Sequence, residues 1–281
     1  MLDKRYKTLI VLSQTNSFTQ TAKQLFITQP AVSQQISSLE DELEFQLVIR
    51  EHGKVTLTKN GLKLAKFAKQ MELESQKVVS AIKSGTEHLK MGCTLSLSST
   101  ILPKFIQQLS TRTNVITTKI NNTQHILQNI RDGKVDFGLI EGNFNKDEFD
   151  SFFVQKENFI GVSHTAISSN SIENLFDQTL LLREKGSGSR NIFKNWLATQ
   201  NYKISDFKNV IEIASPSTIV ELLKQNSGIS FMYESLVTSE LNSGQLKKLD
   251  LQGFQVEHPI NLVFLKNSYF KDTYKEIVES V

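Results

Sequence analysis

The segment ITQP, residues 27–30, constrains the N-terminal fold more than any other feature, because it separates two helical patterns. Apolar residues at Ala22 and Leu25 precede it. Four more follow it at helical spacing: Val32, Ile36, Leu39 and Leu43. Proline fits the first turn of a helix, where the N–H that it lacks would have no acceptor, but it disrupts a helix interior. The pattern therefore predicts two helices that meet at a sharp angle, the second of them capped by Thr28.

The earlier part of the chain carries further helix signals. Ser17 and Gln20 form a capping-box pattern, in which each side chain accepts a hydrogen bond from the other residue's backbone N–H. Apolar residues within Tyr6–Ile10 indicate one more helix before them, and Asn16 is a suitable turn residue after it. Three helices are therefore predicted before residue 44.

The third of these helices presents a polar outer face. At about 100° per residue, the positions opposite its apolar stripe are Pro30, Gln34, Ser37 and Asp41, and Ser33 and Ser38 flank them. Glutamine and serine side chains can hydrogen-bond base edges and phosphates, and the N-terminal end of a helix attracts phosphate. The face suits a helix that reads DNA, but an ordinary amphipathic hairpin with a solvated outside has the same pattern.

Two short β-type runs follow, at residues 47–50 and 55–57, around the turn His52-Gly53-Lys54. They predict a hairpin wing with basic Arg50 and Lys54 at its edge. A wing beside a helix-turn-helix adds contacts to DNA phosphates.

Thr58 can cap a long helix whose apolar seam advances alternately by four and three residues. The seam positions are Leu64, Ala68, Met71, Ser75, Val78 and Ile82. This spacing predicts dimerisation through the helix. A dimer would place two recognition helices about one DNA turn, roughly 34 Å, apart.

The remaining two-thirds of the chain alternates strand and helix patterns and predicts an α/β fold. The first round comprises strands within residues 94–100, 114–120 and 135–142, with helices at 103–109 and 126–131. The second round comprises strands at 179–184, 209–214 and 228–233, with helices at 191–198 and 216–225. Two such rounds in one domain would form two lobes with a cleft for a small ligand between them.

Hydroxyl residues at predicted helix starts are the candidates for ligand contacts in this cleft. They are Ser99, Thr100, Ser215, Ser217 and Thr218, together with Ser187 and Ser189 in the GSGS segment. Helix N-termini with free N–H groups suit an anionic ligand such as a carboxylate, sulfate or phosphate. Simple helix caps and a plain turn explain the same residues about equally well.

Other classes of function are disfavoured by composition. The chain has no apolar run that could span a membrane and no signal-peptide pattern, which predicts a cytoplasmic protein without a membrane partner. Cys93 is the only cysteine, so neither a disulfide nor a two-cysteine redox switch can form within the chain, and the five histidines show no metal-ligand spacing. Ser187 lacks the context of a nucleophile elbow, so no catalytic residue is assigned.

Charge is unevenly distributed. Residues 1–90 hold 13 Lys and Arg against 9 Asp and Glu, whereas residues 91–281 hold 19 against 20. The basic excess belongs to the N-terminal third, where nucleic acid would bind, although its size is modest.

The N-terminal pattern resembles, in register over residues 2–61, that of LysR-type transcriptional regulators. The matching positions are Ser17-Phe18-Thr19, Ala22, Leu25, Gln29-Pro30-Ala31-Val32-Ser33, Ile36, Leu39-Glu40, Leu43, Leu47, Arg50 and Leu57-Thr58 to Gly61. The resemblance implies that Gln29, Pro30, Ser33 and Gln34, with Ser37 on the same face, contact double-stranded DNA, and that Arg50 and Lys54 add wing contacts. Many members have Arg or Lys at the positions of Gln34 and Ser38, so a shallow salt dependence is predicted.

The C-terminal part resembles the LysR-type effector domain more loosely, at residues 130–142, 183–190 and 215–233. This resemblance implies two lobes like those of periplasmic solute-binding proteins, an unidentified small-molecule effector and no cofactor. It also implies tetramers built from dimers that pair through the long helix, and autoregulation of a divergent neighbouring gene.

The predicted organisation has three parts: a winged helix-turn-helix at 1–58, a linker helix at 59–90 and an effector domain at 91–281. Within the last, lobe I covers about 91–160 and 266–281, and lobe II about 161–265. The predicted function is sequence-specific transcriptional regulation in response to an effector. Two alternatives remain: a cytoplasmic solute-binding protein with a dimerisation hairpin, and an architectural protein that binds DNA through charge alone.

Overall fold

The computed structural model describes residues 3–51, 54–86, 88–111, 113 and 115–281, with the backbone alone for Glu51 and Lys54. The chain divides into two units, Met1–Gly85 and Thr86–Val281. The first unit contains α1 (Lys4–Thr15), α2 (Phe18–Leu25), α3 (Gln29–Leu43), β1 (Val48–Glu51), β2 (Lys54–Leu57) and α4 (Lys59–Ser84). The mixed helix and strand content of the whole chain agrees with the predicted α/β class.

Side-chain caps determine where the helices of the first unit begin. Thr28 accepts a hydrogen bond from the N–H of Ala31 at 3.3 Å, and Pro30 occupies the first turn of α3, as predicted. The capping box at the start of α2 forms only in part. The Ser17 hydroxyl accepts a hydrogen bond from the N–H of Gln20. The N–H of Ser17, however, donates to the Thr15 hydroxyl and not to the Gln20 side chain.

The apolar stripe of α3 is the centre of the first core. Val32, Ile36 and Leu39 are fully buried, and they pack with residues of α1 and with Leu47. The Glu40 carboxylate accepts hydrogen bonds from the N–H groups of Leu47 and Val48 at 2.7 and 3.0 Å. This contact ties the end of α3 to the start of the antiparallel β1–β2 hairpin.

Helix α4 packs closely against the same core. Leu64 is partly buried and packs against this core, and Ala68 is fully buried. These two positions of the predicted dimer seam therefore make contacts within the chain. The exposed apolar side chains of α4 are instead Leu62, Phe67, Met71, Val79 and Ile82. The start of α4 therefore completes the helix-turn-helix core with Ala68 and part of Leu64, and the dimer seam stays a prediction.

The second unit contains one large sheet and its surrounding helices. The strands are β3 (His88–Thr94), β4 (Val115–Asn121), β5 (Phe137–Ile140), β6 (Phe149–Ser163), β7 (Ser168–Ser169), β8 (Thr179–Arg183), β9 (Asn209–Ile213), β10 (Ile229–Tyr233), β11 (Lys247–Lys248), β12 (Asp250–Leu251) and β13 (Val256–Leu265). The helices are α5 (Leu102–Leu109), α6 (Thr123–Arg131), α7 (Gly188–Thr199), α8 (Pro216–Lys224), α9 (Thr238–Asn242) and α10 (Lys271–Glu279). The first strand ends at Thr94, where the sequence predicted it to begin, because the alternating apolar pattern extends upstream through Leu89, Met91 and Cys93.

The main sheet has the order β4-β3-β5-β13-β6-β10-β8-β9, and β11 also pairs with β6. Strands β4, β3 and β5 are parallel to one another, and so are β10, β8 and β9. The long antiparallel strands β6 and β13 join these two halves. Strand β5 pairs with the C-terminal part of β13, whereas β10 pairs with the C-terminal part of β6. The halves are therefore offset along the joining strands, and the carboxyl ends of their parallel strands face each other.

One predicted lobe boundary differs from this pairing. Residues 161–265 were assigned to the second lobe, but Asn261–Val263 pair with β5 of the first half. The reason is that β13 extends from one half to the other, with a register shift between Ile260 and Asn261. Within the described ranges, every helix is too short or too polar to cross a bilayer.

The substitution Gly61→Ala should destabilise the first unit although alanine normally favours a helix. A Cβ at Gly61 would lie 2.1 Å from the backbone oxygen of Leu47, which cannot move without disturbing the β1–β2 hairpin. We expect a loss of about 1–3 kcal/mol in the free energy of unfolding, measured by chemical denaturation. Ser80→Ala at an exposed position of α4 is the control, and equal stability of the two variants would contradict the close contact.

Candidate DNA-binding surface and effector site

The N-terminal half of α3 presents the predicted DNA-reading residues. Gln29, Pro30 and Gln34 are exposed, and Ser33 and Ser37 are half-buried beside them. The first turn of α3 carries no acidic residue. The surface therefore consists of hydrogen-bonding side chains at the positive end of a helix dipole, an arrangement that suits contact with DNA.

The wing brings Arg50 to the edge of this surface. The Arg50 guanidinium carbon lies 4.9 Å from the centre of the Phe18 ring, and its Nη2 donates to the Ser37 hydroxyl at 3.4 Å. These contacts connect β1 with α2 and α3. The side chain of Lys54, the other predicted wing residue, lies outside the described residues, as do His52 and Gly53 of the turn.

Arg5 is a positioning residue for α3 that sequence reasoning missed. Its guanidinium donates to the Ser38 hydroxyl at 3.1 Å and forms an ion pair of 2.6 Å with Glu42. Hydrogen bonds to Asp3 and Glu42 raise the pKa of Arg5. Ser38 is thereby engaged within the chain, and no local pattern links it to a residue 33 positions earlier.

The predicted effector residues fall into two groups in the second unit. Ser187 and Ser189, at the start of α7, are buried, and the Thr100 hydroxyl is buried in the turn after β3. In contrast, Ser99, Ser217 and Thr218 are exposed. Ser215 caps α8 by accepting from the N–H of Thr218 at 3.2 Å, so this hydroxyl is already occupied.

Ser96 and Arg183 join Ser189 in a polar cluster between the two halves of the sheet. The Ser96 and Ser189 hydroxyl oxygens lie 2.9 Å apart, and Arg183 Nη1 donates to Ser96 at 3.0 Å. Arg183 is only 5% exposed and also pairs with Glu184 at 2.9 Å. These three residues line a small pocket together with Pro216 and other residues of α8 and β10. Ser96 and Arg183 were not predicted as site residues. A single arginine at the end of the apolar strand β8 could have indicated Arg183.

Glu141 is a buried acid at the carboxyl end of β5. Its carboxylate accepts a hydrogen bond from the Thr94 hydroxyl, and its backbone oxygen accepts one from Thr123 at 3.2 Å. Burial raises the pKa of Glu141, while Thr94, Arg183 and Ser96 act in the opposite direction. A Cβ at Gly188 would lie 2.6 Å from the Glu141 backbone oxygen, so the start of α7 approaches this strand end very closely.

The start of α7 has unused hydrogen-bonding capacity. No side chain within the described part of the chain caps α7, and the buried Ser187 hydroxyl has no hydrogen-bond partner among the described residues. The first N–H groups of a helix have no acceptor within it. Together with the nearby Arg183, this arrangement suits an oxygen-rich ligand group.

Cys93 lies in β3 and is fully buried, as its place in an alternating apolar run predicted. Burial raises the pKa of its thiol, and the Glu141 charge adds to this effect. A thiol that stays protonated is unsuited to nucleophilic or redox chemistry. In the part of the chain that the structure describes, His, Cys, Asp and Glu form no group of three suited to a metal ion.

The variant Glu141→Gln should lose less stability than the wild type as the pH rises. Below the ordinary glutamate pKa of 4.5 the carboxyl is protonated in both the folded and the unfolded state, and above it the wild type loses stability until the pH reaches the raised pKa of the folded state. Glutamine keeps the shape of the side chain without its charge. Relative to the wild type, we therefore expect the free energy of unfolding of Glu141→Gln to be higher by more than about 1 kcal/mol near pH 8. Thermal unfolding between about pH 5 and 8 measures it. Exposed Glu276→Gln is the control, and parallel curves for Glu141→Gln and the wild type would contradict the assignment.

Two family models match the chain. The bacterial regulatory helix-turn-helix of the lysR family matches residues 4–62, and the LysR substrate binding domain matches residues 83–281. The HTH-type transcriptional regulator CysL of Bacillus subtilis is 25% identical over 288 residues, which cover 98% of this chain and 95% of CysL. These matches span both units described above.

Solved structures share the fold over the full length. LysG from Corynebacterium glutamicum with bound effector Arg has a TM-score of 0.67 at 18% identity, covering 100% of this chain and 98% of LysG. ArgP from Mycobacterium tuberculosis has a TM-score of 0.66 at 15% identity, covering 99% and 96%. With a helix-turn-helix unit and an effector-binding unit both matched, the chain belongs to the LysR family of transcriptional regulators, which are DNA-binding proteins and not enzymes.

Proposed function

We propose that this regulator reads specific DNA through α3 and the wing, associates with further copies through α4, and changes its subunit arrangement when an effector binds between the two halves of the second unit. The observation that carries the proposal is the exposed, hydrogen-bonding and acid-free start of α3. The proposal places the protein in the cytoplasm with its DNA.

Charge supports DNA as the partner of α3. No Asp or Glu occurs between Lys4 and Leu39, whereas this stretch contains Lys4, Arg5, Lys7 and Lys23. A positive region of this kind attracts the phosphate backbone, and the Gln and Ser side chains supply hydrogen bonds that can discriminate bases. An architectural protein that binds through charge alone would need more lysine and arginine on α3, and a dimerisation hairpin would need apolar residues on the exposed face of α3 itself.

The exposed apolar residues of α4 support self-association. Phe67 and Ile82 are 60% and 77% exposed, and Met71 lies between them. Burying these side chains against a second copy would release apolar surface from water. A dimer through α4 accounts for them, and the tetramer of the family is part of the same proposal.

The effector site is proposed at the polar cluster, with Thr100, Ser187 and Ser189 as predicted contacts and Ser96 and Arg183 as additional ones. The Thr100 and Ser187 hydroxyls, which have no partners among the described residues, and the uncapped α7 favour an effector with an oxyanion group. Ser99, Ser215, Ser217 and Thr218 remain candidates at the rim. An effector can shift the subunit arrangement only through its different affinities for two states, typically by 1–3 kcal/mol.

Binding to the chain's own upstream DNA, compared with a scrambled duplex at two salt concentrations, tests the function directly. We expect a preference of about a thousandfold that persists at the higher salt. Equal and salt-sensitive binding to both duplexes would favour the architectural alternative. If neither duplex binds, a selection from random DNA decides between a distant target and a protein without specific DNA binding.

The double variant Ser33→Ala with Gln34→Ala should weaken specific DNA binding by at most a few kcal/mol, because it removes base-reading groups and leaves the buried stripe of α3 intact. Fluorescence anisotropy measures the affinity, and light scattering measures the oligomer. Ser243→Ala with Gln245→Ala removes the same side-chain types from exposed positions of the second unit and serves as the control. A lost oligomer with normal DNA affinity would mean that this face of α3 is structural.

The variant Thr100→Ile should abolish the effector response and preserve DNA binding. The Thr100 hydroxyl is buried without a partner among the described residues, so Thr100→Val should also lose the response with little change in stability. Thermal shifts with sodium sulfate, sodium phosphate and a panel of carboxylates provide the readout. An unchanged response in both variants would remove Thr100 from the site.

A further inference from the structure

The turn between α2 and α3 contains an aromatic residue in an unfavourable backbone conformation. Phe26 has a φ of 54° and is 95% exposed. The turn itself requires this conformation, because the N–H of Ile27 returns to the oxygen of Ala22 at 3.0 Å and closes the end of α2. Glycine and asparagine tolerate such a φ, whereas a bulky side chain is strained there.

The choice of phenylalanine is not explained by folding. Among the residues that the structure describes, six non-glycine residues have positive φ, and four of them are asparagine: Asn16, Asn201, Asn226 and Asn267. The exceptions are Phe26 and Glu44. Because the Phe26 ring remains almost fully in water, no burial compensates for its strain. A strained residue that the fold does not require indicates a role in binding.

The surroundings of Phe26 identify the kind of partner. Residues 26–30 are all exposed, so the ring is continuous with the start of α3. Lys23 lies in the last turn of α2, and no acidic residue occurs in α2 or in the first turn of α3. This charge fits a polyanion better than an apolar protein surface. In DNA, the deoxyribose, the thymine methyl group and the base faces supply apolar surface among the phosphates.

We propose that Phe26 is a DNA-contacting residue whose ring packs against an apolar edge of a nucleotide next to the bases that α3 reads. The inference rests on the proposed function, since it requires α3 to bind DNA. It adds a contact that is apolar and therefore independent of salt, beside the polar contacts of α3. The strain at Phe26 then lowers the stability of the free protein, and the contact with DNA offsets it in the complex.

The variant Phe26→Asn tests the proposal, because it should separate folding from binding. We expect an unfolding temperature equal to or above that of the wild type, since asparagine suits the turn. Affinity for a duplex selected from random DNA by the full-length protein should fall about tenfold, with an unchanged salt slope. Phe26→Tyr should retain most of the affinity, because it keeps the aromatic surface.

Glu44→Asn is the matched control, since it relieves the other strained position at the end of α3 and should not weaken DNA binding. Normal DNA affinity of Phe26→Asn would overturn the proposal, and a simultaneous loss of transcription in vitro would assign Phe26 to a protein partner instead. A lowered unfolding temperature would overturn it as well, because Phe26 would then stabilise the fold. If Ser33→Ala with Gln34→Ala weakens binding and Phe26→Asn does not, the proposed function stands without this contact; if neither does, the proposed function itself fails.

Discussion

The antiparallel pairing of β6 with β13 is the constraint on which the second unit depends. Ten residue pairs align from Val256 opposite Phe159 to Leu265 opposite Phe149. Each parallel half of the sheet attaches to a different end of this pair, so the strand ends at Thr94, Arg183 and Glu141 converge. Without the offset, the polar cluster would be divided between two distant edges of the sheet.

Near that cluster, further polar groups are buried without a full set of hydrogen bonds, among them Glu141, Ser187 and, at the carboxyl end of β10, Tyr233. Glu141 is held by Thr94 and influenced by Arg183, while the hydroxyls of Ser187 and Tyr233 have no partners among the described residues. A buried polar group without a hydrogen bond costs free energy that a ligand can recover. Around these polar groups, the buried core of the unit is apolar.

Local chemistry made the first unit predictable from its sequence. Thr28 and Pro30 act within one turn, and the apolar spacing from Val32 to Leu43 reports directly which side of α3 is buried. The start of α4 was less predictable, because the spacing of Leu64 and Ala68 suits either a dimer seam or the core, and only the three-dimensional packing shows that both also contact the core.

The polar cluster proposed as the effector site was less predictable, because its contacts join distant parts of the chain. Ser96 meets Ser189 across 93 positions and Arg183 across 87. The rule that hydroxyls at helix starts contact the ligand selected Ser187 and Ser189, which are buried, but also Ser217 and Thr218, which are exposed. No periodicity identifies Glu141 as buried, since one acidic residue after an apolar strand is more often at the surface.

The two joining strands also decide what kind of movement the second unit can make. Both connections between its halves are hydrogen-bonded to each other along their length, and neither is a flexible loop at the crossing. Paired strands resist stretching and sliding but bend and twist at low cost, and the irregular register at Ile260 and Asn261 lies at the point where they leave one half for the other. Rotation of one half about the strand axis is therefore the movement that this pairing opposes least, and such a rotation would displace the outer edge strands, β4 and β9, the most.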